Sequence, residues 1–224
     1  MRVRLILADD HSIVAEGLKR MLEPEYEVLA IVADGRALLD AARALRPDVV
    51  VADISMPLLN GIDAIGQIRR QLPKTRAICL TMHADRTYVA AAFDAGATGY
   101  VVKHSASEEL REALHAVLNG GIYISPLVGG VGQTRKAGGA RGQVPLASRA
   151  TPRQREVLQL VAEGYTGKRI ARMLGLSPKT VEFHKYSLMR NLGLRSTAQL
   201  VHYAIQHRLV PEEAAPAASN VARR

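Results

Sequence analysis

The sequence predicts an α/β doubly wound five-stranded parallel sheet followed by a separate all-α unit of four helices. Three observations carry this reading. Over the first 120 residues, short β-branched runs alternate five times with helical stretches. Those runs are apolar on both sides, which fits a parallel sheet covered by helices on both faces. Charge then divides the chain. Up to Gly120 there are 14 Lys+Arg against 16 Asp+Glu, a net of −2; from Gly121 onward there are 16 against 5, a net of +11, and together they make the +9 of the 224-residue chain. An acidic module joined to a strongly basic one points to a polyanionic partner for the second. A merely solubilising surface would not segregate charge so sharply.

The strands read as "RVRLILA", "EVLAIV", "DVVVADI", "RAICLT" and "TGYVVK". The helices between and after them read as "SIVAEGLKRML", "GRALLDAARAL", "GIDAIGQIRRQL", "RTYVAAAFDAG" and "SEELREALHAVLNG". In the first helix Val14, Leu18, Met21 and Leu22 are expected on one face. Right-handed crossovers leave few topologies, and in such a sheet a site forms at the carboxyl ends of the strands.

That rule gives the acids a place. Asp9 and Asp10 end the first strand, Asp53 the third, Thr81 the fourth and Lys103 the fifth. Taken singly, each has an ordinary explanation: an Asp after a strand caps the next helix, and a lone Lys is solvated. Placed together, three carboxylates, a hydroxyl and an ammonium converge on one edge. Clustered carboxylates repel one another unless a hard cation neutralises them, and Mg²⁺ takes oxygen ligands while keeping several waters.

These residues resemble the receiver domain of bacterial two-component response regulators, through "LADDH", "VADISMPLLNG", "LTMHAD" and "GYVVKH". The resemblance implies a flavodoxin-like receiver in which Asp53 accepts a phosphoryl group from a sensor histidine kinase. Asp10, Asp53 and the main-chain carbonyl of Ser55 would bind Mg²⁺, with Asp9 acting through a water. Thr81 would hydrogen-bond the phosphoryl group and Lys103 would pair with it. In the family an aromatic at the place of Tyr100 shifts inward as the threonine moves toward the phosphoryl group. His104 departs from the Asp or Pro of many relatives, which bears on the loop there and not on the acceptor chemistry. Aspartyl-phosphate chemistry also serves phosphatases, but these usually place a general acid close after the nucleophile, where this chain has Ser55.

Hydrophobic residues make up 48% of the chain, enough for real cores. The single cysteine, Cys79, sits in an apolar run and reads as a small buried hydrophobe with no disulfide partner. No leader and no membrane-length apolar run is seen, so a cytoplasmic protein without membrane contact is expected. The stretch "SPLVGGVGQTRKAGGARGQVPLASRA", with six glycines and no periodicity, reads as a flexible tether. The end, "PEEAAPAASNVARR", reads as a disordered tail. The expected boundaries are 1–122 for the receiver, 123–149 for the tether, 150–210 for the basic domain and 211–224 for the tail.

The basic domain announces its helices by their caps. "TPRQREVLQLVAEG" opens on Thr151 with Pro152 at the first helical position and Gln154 placed to close a capping box. "TGKRIARMLG" follows, ending at Gly175; "SPKTVEFHKYSLMRNLG" opens on Ser177 and Pro178; "STAQLVHYAIQHRLV" opens on Ser196 with Gln199 in the capping-box place. Two short helices joined through "GLS" are a helix-turn-helix signal. "GLSPKTVEFH" and "NLGLRSTAQLV" resemble the LuxR-type DNA-binding domain, and the two domains in this order resemble the NarL/FixJ subfamily. Gly167 and Arg169 stand where relatives often have Asn and Glu, so the second helix is expected to lose a capping box and fray slightly.

On a helical wheel the third of these helices buries Val181, Leu188 and Leu192. Lys179, Phe183, Tyr186 and Arg190 lie opposite, with Glu182 at the edge. Phe183 is expected at a thymine methyl and Glu182 at a cytosine amino group. Lys168, Thr180, Lys185, Arg190 and Arg195 are expected at phosphates, which position without specifying. Val201 and Ile205, at i, i+4 spacing, are a candidate dimer seam or ordinary core. The expected function is a phosphorylation-activated regulator that binds promoter DNA, as a homodimer when phosphorylated or DNA-bound, and is not an enzyme. The alternative is a DNA-binding regulator whose receiver dimerises without phosphorylation.

Overall fold

The computed structural model describes residues 2–82, 84–130 and 150–206. They fall into two compact units on either side of the stretch 131–149, and each is described by itself. The first contains β1 (Arg4–Ala8), α1 (Ser12–Leu22), β2 (Glu27–Val32), α2 (Gly35–Leu45), β3 (Val49–Asp53), α3 (Gly61–Gln71), β4 (Arg76–Thr81), α4 (Arg86–Asp94), β5 (Gly99–Val102), α5 (Ala106–Leu118), β6 (Tyr123–Ile124) and α6 (Leu127–Gly130). The sheet order is β2-β1-β3-β4-β5-β6, with every pairing parallel. The chain steps outward from β1 to β2, then returns across β1 to β3. The carboxyl ends of β1 and β3 therefore flank the switch point, where such sheets open a crevice.

Alternation along each strand divides the core in two. Ile6, Val50, Ala52, Ala77, Cys79 and Tyr100 meet Leu38, Ile65 and Ile68 on one face. Leu5, Leu7, Val49, Val51, Ile78, Leu80 and Val101 meet Leu18, Leu22, Leu110, Leu114 and Val117 on the other. Each large aliphatic side chain so buried contributes about 1.5–3 kcal/mol. Caps mark where the helices start. The Asp34 carboxylate accepts from the N–H groups of Arg36 and Ala37, both at 2.8 Å. Asn60 accepts from Asp63 N at 2.9 Å, and Asp85 accepts from Thr87 N at 2.7 Å.

Three details differ from the sequence reading. On α1 the buried face is Ala15, Leu18 and Leu22, with Met21 packed beside it, while Val14 is exposed and Ile13 is 88% exposed. The small Ala15 lets the helix seat on the sheet with its apolar stripe turned by one residue. The strand expected to run through Lys103 ends at Val102, and Lys103–Ser105 form a 3₁₀ turn in which the Ser105 hydroxyl donates to the Val102 carbonyl at 3.1 Å. The tether expected from residue 123 begins instead with ordered structure. Tyr123 and Ile124 pair with β5 as a short sixth strand, and α6 follows. A strand of two residues is too short to show a period. The rest of the expected tether from 131 to 149, and the tail, lie outside the described residues.

The second unit contains α7 (Pro152–Ala162), α8 (Gly167–Leu174), α9 (Pro178–Leu192) and α10 (Thr197–Gln206). Leu158, Ala162, Leu188, Met189, Leu200 and Ala204 form its core with Ala150. The capping box of α7 is complete: Thr151 Oγ1 accepts from Gln154 N, and Gln154 Oε1 accepts from Thr151 N at 2.9 Å. Ser177 caps α9, and Gly175 and Gly193 end α8 and α9 in the left-handed conformation at φ 63° and 70°. At α10 Ser196 accepts from Gln199 N at 3.2 Å, but the Gln199 side chain reaches back to Arg195 N rather than to its cap. Among the described residues no helix is long and apolar enough to cross a membrane.

Candidate functional site

The carboxyl ends of β1, β3 and β5 bring Asp9, Asp53 and Lys103 together. Lys103 Nζ lies 2.7 Å from Asp9 Oδ2 and 2.7 Å from Asp53 Oδ2, with its side chain only 8% exposed. Both carboxylates are buried as well. Burial alone would depress the Lys103 ammonium, yet the two carboxylates outweigh it and hold its pKa above the ordinary lysine value. The lysine is thereby a fixed positive charge on a bridge between two strand ends.

Asp10, the next residue after Asp9, is half-buried. Its pKa is raised, first by burial and then by Asp53 and Asp9, against the lowering influence of His11. His11 Nδ1 stands 3.0 Å from Asp10 Oδ1 and 3.3 Å from Asp9 Oδ1, and His11 N donates to Asp9 Oδ1 at 2.9 Å. Sequence reasoning passed over His11, although it directly follows the acidic pair. Donor atoms of Asp9, Asp10, His11 and Asp53 all lie within 4.8 Å of one another. Three carboxylates share one buried ammonium there, so a hard divalent cation fits both their donor type and their excess negative charge.

The loop after β3 shapes the mouth of the site. Ser55 N donates to Asp53 Oδ1 at 3.3 Å. Leu58 takes a positive φ of 65°, a strained setting for a branched side chain. Gly61 N donates to the Ile54 carbonyl at 3.0 Å, and a Cβ on Gly61 would sit 2.0 Å from the Asp53 carbonyl oxygen. Only glycine allows the first turn of α3 to approach the strand end so closely.

Thr81 and Tyr100 come together on the adjacent strands β4 and β5. Both are completely buried, and the Tyr100 hydroxyl is hydrogen-bonded to Thr81. Burial raises the Tyr100 pKa above the ordinary phenol value in spite of that bond. The aromatic ring thus points inward. Cys79, directly opposite Tyr100 on the neighbouring strand, is buried, and burial followed by the nearby Asp53 pushes its thiol up to about 12. It is an inert core residue.

On the second unit α9 presents Phe183, 66% exposed, and Tyr186, 61% exposed. Lys168, Lys179, Arg190 and Arg195 are exposed, and Thr180 is half-buried with its hydroxyl 2.8 Å from that of Ser177. Val181 and Leu188 are buried as expected, whereas Leu192 is only half-buried and Met189 fills the core beside Leu188. Lys185 is not open to solvent as expected of a phosphate contact. It pairs with Glu182 Oε2 at 2.6 Å. As expected α8 lacks a capping box, but it keeps a single cap: Thr166 Oγ1 accepts from Arg169 N at 3.4 Å, and the Arg169 guanidinium lies 4.6 Å from the Tyr165 ring centroid. On α10 Leu200 and Ala204 face the core, while Val201 is half-buried and Ile205 exposed.

Comparison with known proteins agrees with both halves. A family model for the response regulator receiver domain matches residues 5–115, and one for bacterial regulatory proteins of the luxR family matches residues 149–204. The chain is 36% identical over 211 residues to the transcriptional regulatory protein MctR of Rhizobium johnstonii, covering 93% of this chain and 96% of that one. Among solved structures it is similar to RcsB of Salmonella enterica serovar Typhimurium bound to promoter rprA in the presence of the phosphomimetic BeF3⁻. That match has a TM-score of 0.58 at 29% identity, over 92% of this chain and 99% of that chain. A structure of two RcsB dimers bound to two parallel DNAs matches with a TM-score of 0.56 at 31% identity, over 92% of this chain and 99% of that chain.

Proposed function

The chain belongs to the response regulators that join a receiver domain to a LuxR-type helix-turn-helix domain, and from that premise we propose that phosphoryl transfer to Asp53 controls its hold on promoter DNA. It is a two-component response regulator, a transcription regulator and not an enzyme, and it binds DNA through its C-terminal domain. The partner that phosphorylates it is a sensor histidine kinase.

The observation that carries the Asp53 assignment is the Lys103 bridge at 2.7 Å to both Asp9 and Asp53. A carboxylate attacks phosphorus only when the charge on the phosphoryl oxygens is neutralised. An Asp53 oxygen forms the new bond to phosphorus as the donor's phosphorus–nitrogen bond breaks, and the ammonium pairs with the transferred group. Asp10, Asp53 and the Ser55 carbonyl would hold Mg²⁺, with Asp9 assisting through a water, and the ion would supply electrostatic stabilisation of that group. Thr81 hydrogen-bonds the phosphoryl oxygens, and its bond to Tyr100 ties the inward ring to the same event.

On the DNA side, Phe183 and Tyr186 are the apolar and aromatic surface that enters the major groove, supported by their exposure beside basic residues. Lys168, Lys179, Thr180, Arg190 and Arg195 hold phosphates. Two half-sites give useful specificity where one recognition helix reads only a few base pairs. A homodimer follows, with exposed Ile205 and half-buried Val201 as its seam. Incubation with a small phosphodonor and Mg²⁺ tests the whole reading. The wild-type chain should incorporate one phosphoryl group and bind duplex DNA more tightly afterward. Asp53→Asn should stay folded and incorporate none; full labelling of that variant removes Asp53 from the role.

A further inference from the structure

We propose that Glu182 limits the sequence-independent part of DNA binding by holding Lys185 away from the phosphate backbone, and that it contacts no base. The inference rests on the DNA-binding reading of α9. Lysines on DNA-binding surfaces normally carry their ammonium groups into solvent. Lys185 does not: its side chain is 15% exposed, and its ammonium lies 2.6 Å from Glu182 Oε2. The ammonium is also 5.2 Å from the Tyr186 ring centroid.

An ion pair on an exposed helix face usually contributes little, because both side chains are free to leave it. Here a second helix stands beside the pair. A Cβ built on Gly167 would meet Glu182 Oε1 at 3.3 Å, so a larger residue at the start of α8 would crowd the carboxylate whose other oxygen holds Lys185, although the Glu182 side chain itself is 41% exposed. The first turn of α8 contains no acid. A helix N-terminus attracts negative charge through its free N–H groups, and Glu182 brings a carboxylate there from α9. Glycine at 167 leaves the space for it. The absent side chain at 167 and the acid missing from 169 therefore have one physical counterpart, the Glu182 carboxylate at the edge of α8.

The consequence is electrostatic. A lysine neutralised at 2.6 Å releases few counterions when DNA arrives, whereas a free lysine on a phosphate adds about 0.9 to the salt slope. Glu182 thus lowers affinity for every sequence and leaves discrimination to Phe183 and its neighbours. It is a positioning residue acting through Lys185.

Glu182→Gln tests this in the full chain, since glutamine keeps the shape and removes the charge. Binding is measured between 50 and 200 mM salt on a duplex selected from a randomised pool by the wild type, and on an unrelated duplex. The variant should lose about 3.5-fold more affinity than the wild type across that range, the effect of one added phosphate contact. It should bind the unrelated duplex more tightly at low salt, and it should select the same consensus. Lys185→Met should leave the wild-type slope unchanged, an arm that does not depend on how the Gln variant folds. Adding Glu182→Gln to Lys185→Met should change the slope no further. An unchanged slope in Glu182→Gln overturns the proposal. So does an equal steepening in the Lys185→Met background, which would be plain repulsion between Glu182 and DNA. A consensus altered at one base position overturns it in favour of base reading. A wild type that binds no duplex overturns the DNA-binding reading along with it.

Discussion

Replacing Lys103 with Met isolates the electrostatics of the acidic pocket. The ammonium is 2.7 Å from each of two buried carboxylate oxygens and is itself 8% exposed. At an effective dielectric of about 20 each contact is worth roughly 6 kcal/mol of Coulomb attraction, most of it offset by the desolvation of all three charges. Methionine keeps the apolar stem and removes the cation, which leaves Asp9 and Asp53 buried and facing each other. Breaking a buried pair in this way costs about 3–5 kcal/mol. For a unit of this size that lowers the melting temperature by roughly 10–25 °C. The assay is thermal unfolding in a chelator and then in excess Mg²⁺. The cation should stabilise the variant more than the wild type, because the pocket's negative charge is no longer offset; at one hundred times its dissociation constant a ligand contributes about 2.7 kcal/mol. The pH dependence has a definite sign. The folded pKa of Lys103 is raised, so its stabilisation is complete below the unfolded lysine value and is lost as pH rises through the folded value. The gap between variant and wild type should therefore be flat near neutrality and close only in strong alkali. A variant that melts within 2 °C of the wild type in chelator, a bound set from the same scaling, would show that Lys103 does not stabilise the pocket as a charged bridge.

Other outcomes are equally specific. Asp10→Asn should stabilise the metal-free chain and weaken Mg²⁺ binding measured by calorimetry. Because the folded pKa of Asp10 is raised, wild-type stability should fall as pH climbs from the ordinary carboxylate value of 3.8 through the folded value, and the Asn variant should lack that fall. Gly61→Ala puts a methyl 2.0 Å from the Asp53 carbonyl oxygen, which should cost about 1–3 kcal/mol in denaturant unfolding and slow phosphoryl incorporation. Phe183→Ala should leave thermal stability intact, since the ring is 66% exposed. It should lose about 1–3 kcal/mol on the preferred duplex with an unchanged salt slope, because the ring carries no charge and releases no counterions.

The sheet was legible because its period repeats five times and because apolar runs on both sides of a strand have few other homes. Asp9, Asp53 and Lys103 were legible for a topological reason: each stands at the carboxyl end of a strand or directly after it, and parallel strands deliver those ends to one edge. The helix caps at Thr151 and Ser177 were legible as local chemistry, a hydroxyl followed by proline. What escaped was set by packing. The face of α1 turned by one residue because Ala15, not Val14, fits against the sheet. The strand Tyr123–Ile124 escaped because its pairing with β5 supplies all its evidence. The inward place of Tyr100 depended on Thr81, a neighbour on the adjacent strand that no local pattern links to it.

The DNA-binding surface shows the same limit more sharply. A helical wheel sorts α9 into buried and exposed faces, and it placed Val181, Leu188, Phe183 and Tyr186 correctly. It assigned Lys185 to a phosphate and Glu182 to a base from their angles alone. Their spacing of three residues already allowed an ion pair within the helix, but spacing cannot choose between a partner on the same helix and a partner on DNA. The choice is made by Gly167, fifteen residues earlier in the chain, whose missing side chain admits the Glu182 carboxylate. With one oxygen of Glu182 beside Gly167, the other lies 2.6 Å from Lys185, and a charge counted as available for DNA is already paired. Which exposed charges are free to bind is thus a property of the contact between two helices, and it becomes readable only when both are in place.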